Sequence, residues 1–316
     1  MTATRVRPPS SFSARRSSPV ESSTIWLLLA TALAPIAWGT TYLTATELLP
    51  DGRPLFSAAS RALPAGLALA LVTRTLPTGV WWWRALVLGV LNIGGFFALL
   101  FVAAYRLPGG VAATLGAIQP LVAAVLAAVL LGERLRGTNV LAGLLGVVGV
   151  GLLVLRANAS LDAWGVAAGL GGAVSMASGV VLVKRWGRPV PLLAFTSWQL
   201  VAGGLVLVPL ALAVEGGPPV LSTANVVGFV WLASAGTALA YALWFRGVQR
   251  LPVANVTLLG LLSPVVAALG GLLVLGQTLG PAQTLGVAVV LVAIVVGQRP
   301  ARSVGTQQSR DGDAAS

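Results

Sequence analysis

The chain has 316 residues, of which 57% are hydrophobic and 9% charged, and its formal net charge is +12. About 25% of the residues in a soluble globular domain are charged, so this composition excludes an ordinary soluble domain. The chain contains no cysteine and no histidine, which excludes structural disulfides, Cys/His zinc sites and histidine acid–base catalysis. Its basic residues are scattered between apolar runs and do not form the basic face that nucleic-acid binding requires.

Apolar segments follow one another along the chain, and ten of them are long enough to be transmembrane helices. A helix needs roughly 20 apolar residues to cross about 30 Å of hydrocarbon. The predicted spans, in chain order, are 25–46, 54–73, 84–105, 109–131, 137–155, 163–183, 191–214, 225–246, 252–275 and 281–298. The polar segments 1–24 and 299–316 are predicted to be disordered tails. The sequence therefore predicts an all-α integral membrane protein in the lipid bilayer of the cell (inner or plasma) membrane.

The distribution of basic residues predicts the orientation of these helices. With a cytoplasmic N-terminus, 16 of the 20 basic residues lie on the cytoplasmic side, three (Arg53, Arg106 and Arg156) lie outside, and Arg61 lies within the second span. Basic residues are enriched in cytoplasmic loops. The sequence therefore predicts that both tails, and so both termini, are cytoplasmic.

The chain also contains an internal repeat. An offset of 144 residues relates Arg106-Leu107-Pro108 to Arg250-Leu251-Pro252 and Leu115-Gly116 to Leu259-Gly260, and a weaker offset of 137 relates Pro54-Leu55 to Pro191-Leu192. We therefore divide the chain into two repeats of five helices, 25–155 and 163–298. Because five is an odd number, the repeats are predicted to be inverted in the bilayer, as in many secondary transporters.

Several motifs in these repeats resemble a known family. They are Ala37-Trp38-Gly39, Arg61, and Leu131-Gly132-Glu133 with its counterpart Leu275-Gly276-Gln277. In their order and duplication they are similar to the paired EamA domains of the drug/metabolite transporter superfamily. The resemblance implies a ten-helix bundle with alternating access that exports amino acids, related metabolites or drugs. The sequence departs from the family pattern at Gln277, where glutamate is usual, and at Ser175-Met176, where an aromatic residue is common.

Arg61 is a candidate for binding substrate, because it is charged and lies in the middle of a predicted span. An arginine at that depth costs roughly 2.5–3.5 kcal/mol on translocon scales, so a partner is expected. A substrate anion is one candidate; the alternatives are a water-filled cavity, the carbonyl groups of the helices, or a side chain that snorkels outward.

Two prolines occupy equivalent positions in the fourth and ninth spans. Pro120 and Pro264 have no N–H, so the carbonyls four residues earlier, at Gly116 and Gly260, are predicted to be free. We interpret these four residues as hinges or kinks. The alternative is a packing kink inherited through duplication.

Other polar and aromatic residues at interior depths are candidates to line a substrate pocket, although each has helix packing as its alternative. They are Trp38, Tyr42, Asn92, Gln119, Ser175, Trp198, Gln199, Tyr241 and Ser263. Four further tryptophans, Trp81, Trp82, Trp83 and Trp186, are predicted to be interfacial anchors.

These features favour a secondary transporter that exports a small metabolite, such as an amino acid or a related solute. No catalytic residue, metal ligand or cofactor is predicted. The alternatives are a membrane enzyme acting on a lipid-linked substrate, drug efflux and, last, a scaffold or receptor. An enzyme of that kind needs acid–base or metal-binding residues at a membrane face, and the chain has eight acidic residues and no histidine.

Overall fold

The computed structural model of the chain describes residues 19–106, 109–154 and 162–298. Within these residues the regular secondary structure is helical, and ten helices are long and apolar enough to cross a membrane. This confirms the predicted fold class. Both predicted tails lie largely outside the described residues, and the first helix already begins at Pro19.

Six of the ten spans are continuous helices. These are the first, second, fifth, sixth, seventh and tenth spans, at Pro19–Leu48, Pro54–Thr73, Gly137–Val154, Ala163–Trp186, Leu192–Glu215 and Pro281–Gln298. Local signals set several of their ends. Asp162 accepts a hydrogen bond from Gly165 N at 2.7 Å and so caps the sixth span, while Pro54 and Pro281 stand at the first helical position, where a missing N–H costs nothing.

The third and eighth spans each contain a π-helical segment. The third span runs through Trp81–Gly89, the π-helix Val90–Gly94 and Gly95–Arg106. The eighth runs through Thr223–Ala233, the π-helix Ser234–Leu239 and Ala240–Arg250. The two π-helices begin 144 residues apart, which is the repeat offset seen in the sequence. A feature this uncommon, present in both halves, shows that the repeat extends to backbone detail.

The fourth and ninth spans are both broken near their middle. The fourth consists of Gly109–Gly116 and Gln119–Leu131, and the ninth of Val253–Leu259 and Leu262–Val274. Each break comes shortly before a proline, Pro120 or Pro264. Both helices are thus interrupted close to these prolines, and a hinge role for the two breaks stays a prediction.

Helix packing follows the inverted symmetry of the repeats. The second span packs on the seventh and the fifth on the tenth, and in each pair the two helices are repeat counterparts. The first span packs on the eighth and ninth, just as the sixth packs on the third and fourth. The interior between the repeats is thus enclosed by helices from both halves.

Glycine allows the fifth and tenth spans to approach closely. A Cβ atom added to Gly149 would lie 2.9 Å from Val290 N, and one added to Gly286 would lie 2.7 Å from Gly149 O. Both distances are shorter than real Cβ atoms tolerate, so the two backbones are in direct contact. Glycine at both positions is therefore what lets these two spans pack backbone to backbone.

Candidate substrate site

Arg61 lies in the middle of the second span and reaches across to the other repeat. It is 8% exposed. Its Nε donates a hydrogen bond to Thr237 Oγ1 at 2.9 Å, and its Nη2 donates one to Gly236 O at 2.8 Å. The guanidinium also lies over the ring of Phe97, with Cζ 5.3 Å from the ring centre. None of the carboxylates in the described part of the chain forms an ion pair with it.

An aromatic cluster stands beside this arginine. The Trp38 ring centre is 5.1 Å from that of Tyr241 and 5.1 Å from that of Trp244. Tyr241 and Trp244 are each 1% exposed, whereas Trp38 is half-buried. The indole N–H groups of Trp38 and Trp244 are buried and have no hydrogen-bond partner among the described residues. The cluster is therefore apolar and largely enclosed, and it contains two indole N–H donors without protein partners among the described residues.

A network of polar side chains surrounds the π-helix of the third span. Ser175 Oγ donates to Leu91 O at 2.9 Å, and Tyr241 OH donates to Asn92 O at 3.4 Å. Asn92 Nδ2 donates to Gln199 Oε1 at 2.9 Å. A π-helix disrupts the regular ladder of backbone bonds. The side chains of Ser175 and Tyr241 contact the carbonyls at this point.

The π-helix of the eighth span is bound in a corresponding way. The repeat offset of 144 places Gly236 opposite Asn92, and Gly236 O is the carbonyl that accepts from Arg61. The second span is thus tied to the π-helix of the opposite repeat, as is the seventh span through Gln199. Hydrogen bonds thus join the sequence candidates Asn92, Gln199 and Tyr241, and Arg61 binds the turn of the eighth span that precedes Tyr241.

Three other sequence candidates lie away from this cluster or do not contact it directly. Trp198 Nε1 donates to Thr75 O at 2.7 Å, beyond the end of the second span, and its ring packs on Trp81 at 6.2 Å. Gln119 begins the second half of the fourth span, and its Nε2 is buried without a partner among the described residues. Ser263 is half-buried where the ninth span meets the first: a Cβ on Gly39 would lie 2.7 Å from Ser263 O. The side chain of Tyr42 lies outside the described residues.

The predicted hinge carbonyls differ between the repeats. Gly260 O accepts a hydrogen bond from Ser263 N at 3.1 Å, so the prediction that this carbonyl is free is wrong. Pro264 has no N–H to donate, and in the tight turn before it the backbone N–H of Ser263 binds this carbonyl instead. Gly116 is exposed, and no atom lies within 4 Å of a Cβ built on it. The fourth span therefore retains open space at its break.

Sequence reasoning missed Trp244, Thr237 and Gly236. Trp244 follows Tyr241 by three residues, so the helical period alone would have placed the two rings on one face. Thr237 and Gly236 carry no such signal, since only the folded π-helix points them at Arg61. Among the described residues, no three His, Cys, Asp or Glu side chains are grouped so that they could hold a metal ion.

Ten spans in two inverted repeats, with a polar and aromatic centre between them, define a polytopic membrane protein of the type that includes many secondary transporters. The model of the EamA-like transporter family matches residues 24–155 and again 163–296. The chain therefore belongs to the EamA-like transporter family, and it is a multi-pass membrane transporter of the drug/metabolite type.

Individual relatives agree with this assignment. The chain is 45% identical over 267 residues to Protein PecM of Dickeya dadantii, covering 84% of this chain and 90% of PecM. It is 27% identical to the uncharacterized inner membrane transporter YedA of Escherichia coli K12, covering 83% and 87%. It is also 27% identical to a probable terminal-alkyne amino-acid exporter of Streptantibioticus cattleyicolor, covering 91% and 96%. A solved crystal structure shares the fold, with a TM-score of 0.74 and 21% identity over 87% of this chain and 96% of its own.

Proposed function

We propose that this transporter exports a small metabolite, such as an amino acid or a related solute, by alternating access. The observation that carries the proposal is the position of Arg61 beside the Trp38–Tyr241–Trp244 cluster, between the two repeats. A transporter of inverted-repeat type binds its substrate near the midplane at this interface.

The donors at this site suit an acidic group. Arg61 has five N–H donors, and its Nη1 has no protein acceptor among the described residues. The unpartnered N–H of Trp38 is a further donor. A carboxylate accepts hydrogen bonds from several donors at once, so these donors suit the acidic end of a solute and the aromatic rings suit its apolar part.

The relatives support the same substrate class. One of them is a probable terminal-alkyne amino-acid exporter, and it aligns over 91% of this chain. Drug efflux is the second candidate, because an aromatic cluster also attracts cations. The buried charge of Arg61 repels a cationic drug and so favours the acidic or zwitterionic solute.

Transport by purified protein in liposomes tests the proposal. Vesicles loaded with labelled amino acids should release one or more of them faster than protein-free vesicles, and mass spectrometry should recover the solute unchanged. Trp38→Ala should slow release, whereas Trp26→Ala, which changes a tryptophan that is 71% exposed, should leave it unaffected. Chemical conversion of the solute would favour the membrane enzyme, and release of cationic drugs alone would favour efflux.

A further inference from the structure

A salt bridge joins the ends of the fourth and sixth spans. Lys184 Nζ lies 2.6 Å from Glu133 Oε1 and donates to Leu251 O, also at 2.6 Å. The second carboxylate oxygen, Glu133 Oε2, accepts a hydrogen bond from Val253 N at 3.0 Å. These contacts also reach the start of the ninth span. These polar contacts, which we call the closure, therefore join three spans at the end of the bundle that the basic residues assign to the cytoplasm.

The opposite end of the bundle has an ion pair of its own, Arg106 Nη1 to Asp162 Oδ1 at 3.6 Å, but among the described residues it is not the counterpart of Glu133–Lys184. The offset of 144 places Gln277 opposite Glu133, and the offset of 137 places Glu47 opposite Lys184. Both Gln277 and Glu47 are exposed. A neutral amide and a carboxylate do not form a salt bridge, so the two ends of the repeat structure differ in charge. The Glu133–Lys184 pair is therefore not repeated at the equivalent positions of the other end.

A cavity of about 410 Å³ opens beside the salt bridge. Its lining carries four cations against one carboxylate: Arg134, Arg136, Lys184 and Arg250, with Glu133. Asn139 also lines it; this residue is 7% exposed, and its side-chain oxygen has no partner among the described residues. A cleft of one charge sign with low-dielectric walls concentrates ions of the opposite sign. The basic lining therefore suits an anionic group, and the free Asn139 oxygen suits a hydroxyl or ammonium donor elsewhere on the same solute.

Lys184 connects the cavity with the closure. An ammonium group has three N–H donors, and Lys184 uses two of them on Glu133 and Leu251. Its side chain is 24% exposed and that of Glu133 is 23% exposed. Ion pairs that water reaches are weak. The third donor is left to an anion in the cavity, which then competes with Glu133 for Lys184.

We propose that this cavity is a binding site for an anionic group, a carboxylate or phosphate, and that the bound anion takes Lys184 from Glu133 and opens this end of the bundle. The inference rests on the proposed function. To the proposed export it adds a site where acidic solutes enter, and it identifies the loss of the Glu133–Lys184 ion pair as the step that opens the closure.

Cysteine labelling tests the proposal directly, because the native chain has no cysteine. Ala254 lines the cavity and is 6% exposed, so Ala254→Cys should react slowly with a membrane-impermeant maleimide in phosphatidylcholine nanodiscs containing sodium chloride. Sodium phosphate or acetate at equal ionic strength should raise the labelling rate roughly twofold to fivefold, the range expected for loss of a partly exposed ion pair. Nanodiscs with phosphatidylglycerol, kept in chloride, show whether a lipid headgroup supplies the anion.

Variants on the Ala254→Cys background separate the anion site from the closure. Glu133→Gln should label rapidly in chloride and gain nothing from phosphate. Arg136→Gln, which leaves the salt bridge intact, should label slowly in chloride and need more phosphate to respond. Glu47→Gln, at the opposite end, should behave like its parent.

Equal labelling in chloride, phosphate, acetate and phosphatidylglycerol would overturn the anion site. So would an Arg136→Gln variant that responds to phosphate as its parent does. Labelling requires no transport, so this failure leaves the export proposal intact. A labelling response in protein that moves no amino acid would instead count against the export proposal alone.

Discussion

Asn92 Nδ2 donates a hydrogen bond to Gln199 Oε1 at 2.9 Å, and this bond joins the third span of one repeat to the seventh span of the other. Both side chains are 0% exposed. Arg61 makes the counterpart contact, from the second span to the eighth. Two π-helices are thus held by polar side chains from the opposite repeat. Because these hydrogen bonds join the two repeats, a movement of one repeat against the other would have to break or rearrange them.

Asn92→Ala should lower the stability of the folded protein by about 1–3 kcal/mol, because it leaves the buried Gln199 Oε1 without its donor. The measurement is thermal unfolding of purified protein in detergent. Thr138→Ala, at an exposed position, is the control. The double variant Asn92→Leu/Gln199→Leu should lose less than the sum of the two single variants, since neither polar group remains unpaired. Additive losses would show that the bond contributes nothing.

Gly179→Ala should also destabilise the protein, by about 1–3 kcal/mol. A Cβ on Gly179 overlaps the side-chain amide of Asn92, so the sixth and third spans must move apart. Gly270→Ala is the matched control, because no atom lies within 4 Å of its added Cβ and alanine is the better helix former. Equal melting temperatures for the two variants would contradict the packing of Asn92 described above.

The fold was largely predictable from sequence, and the site only partly. Spans such as 54–73 and 281–298 agree with the observed Pro54–Thr73 and Pro281–Gln298, because a bilayer accepts only helices or closed barrels of sufficient length. The π-helices had no sequence signal, since an inserted residue does not alter an apolar pattern. Trp81 was predicted to be an interfacial anchor, yet its ring packs inward on Phe195 at 6.0 Å. The direction of its side chain decides whether Trp81 lies in the membrane interface or packs in the interior, and the composition of the sequence does not determine that direction.

Both termini should be cytoplasmic. The reason is the division of basic residues, 16 against three, which sets topology through short loops. Reporter fusions after residue 316 and within the 47–53 loop measure it directly: the first should report the cytoplasm and the second the outside. A C-terminal reporter active outside would contradict the predicted orientation and would exchange the two ends of the bundle.

Pro120→Ala and Pro264→Ala should each reduce transport more than they reduce membrane insertion. Alanine restores an N–H in the broken helix, and the helix interior prefers a non-proline residue by about 3 kcal/mol. The straightened helix should therefore lower the transport rate roughly fivefold or more, measured per folded molecule in liposomes. Pro209→Ala, at an exposed proline within the seventh span, is the control. Normal transport by both variants would mark the prolines as packing features.

The Arg61 guanidinium is expected to contribute to substrate binding as well as to structure. Arg61→Lys keeps the charge but loses the planar set of donors that reaches Thr237 and Gly236 together. Folded yield should stay close to normal because the charge is retained, while transport per folded molecule should fall roughly tenfold, because lysine has fewer donors left over for a substrate anion and hydrogen bonds to a charged group contribute about 1.5–3 kcal/mol. Arg61→Leu should transport least.

Thr237→Val separates the two roles of Arg61. It removes the acceptor of Nε and leaves the charge in place, so it should lower the melting temperature with a smaller effect on transport per folded molecule. A purely structural arginine gives a different pattern, in which Arg61→Leu lowers the folded yield, Arg61→Lys partly restores it, and every folded molecule transports at the native rate. That result would remove Arg61 from the substrate site. The preference for an acidic or zwitterionic solute over a cationic drug would then lose its main support in the centre of the protein, because the aromatic cluster of Trp38, Tyr241 and Trp244 accommodates either.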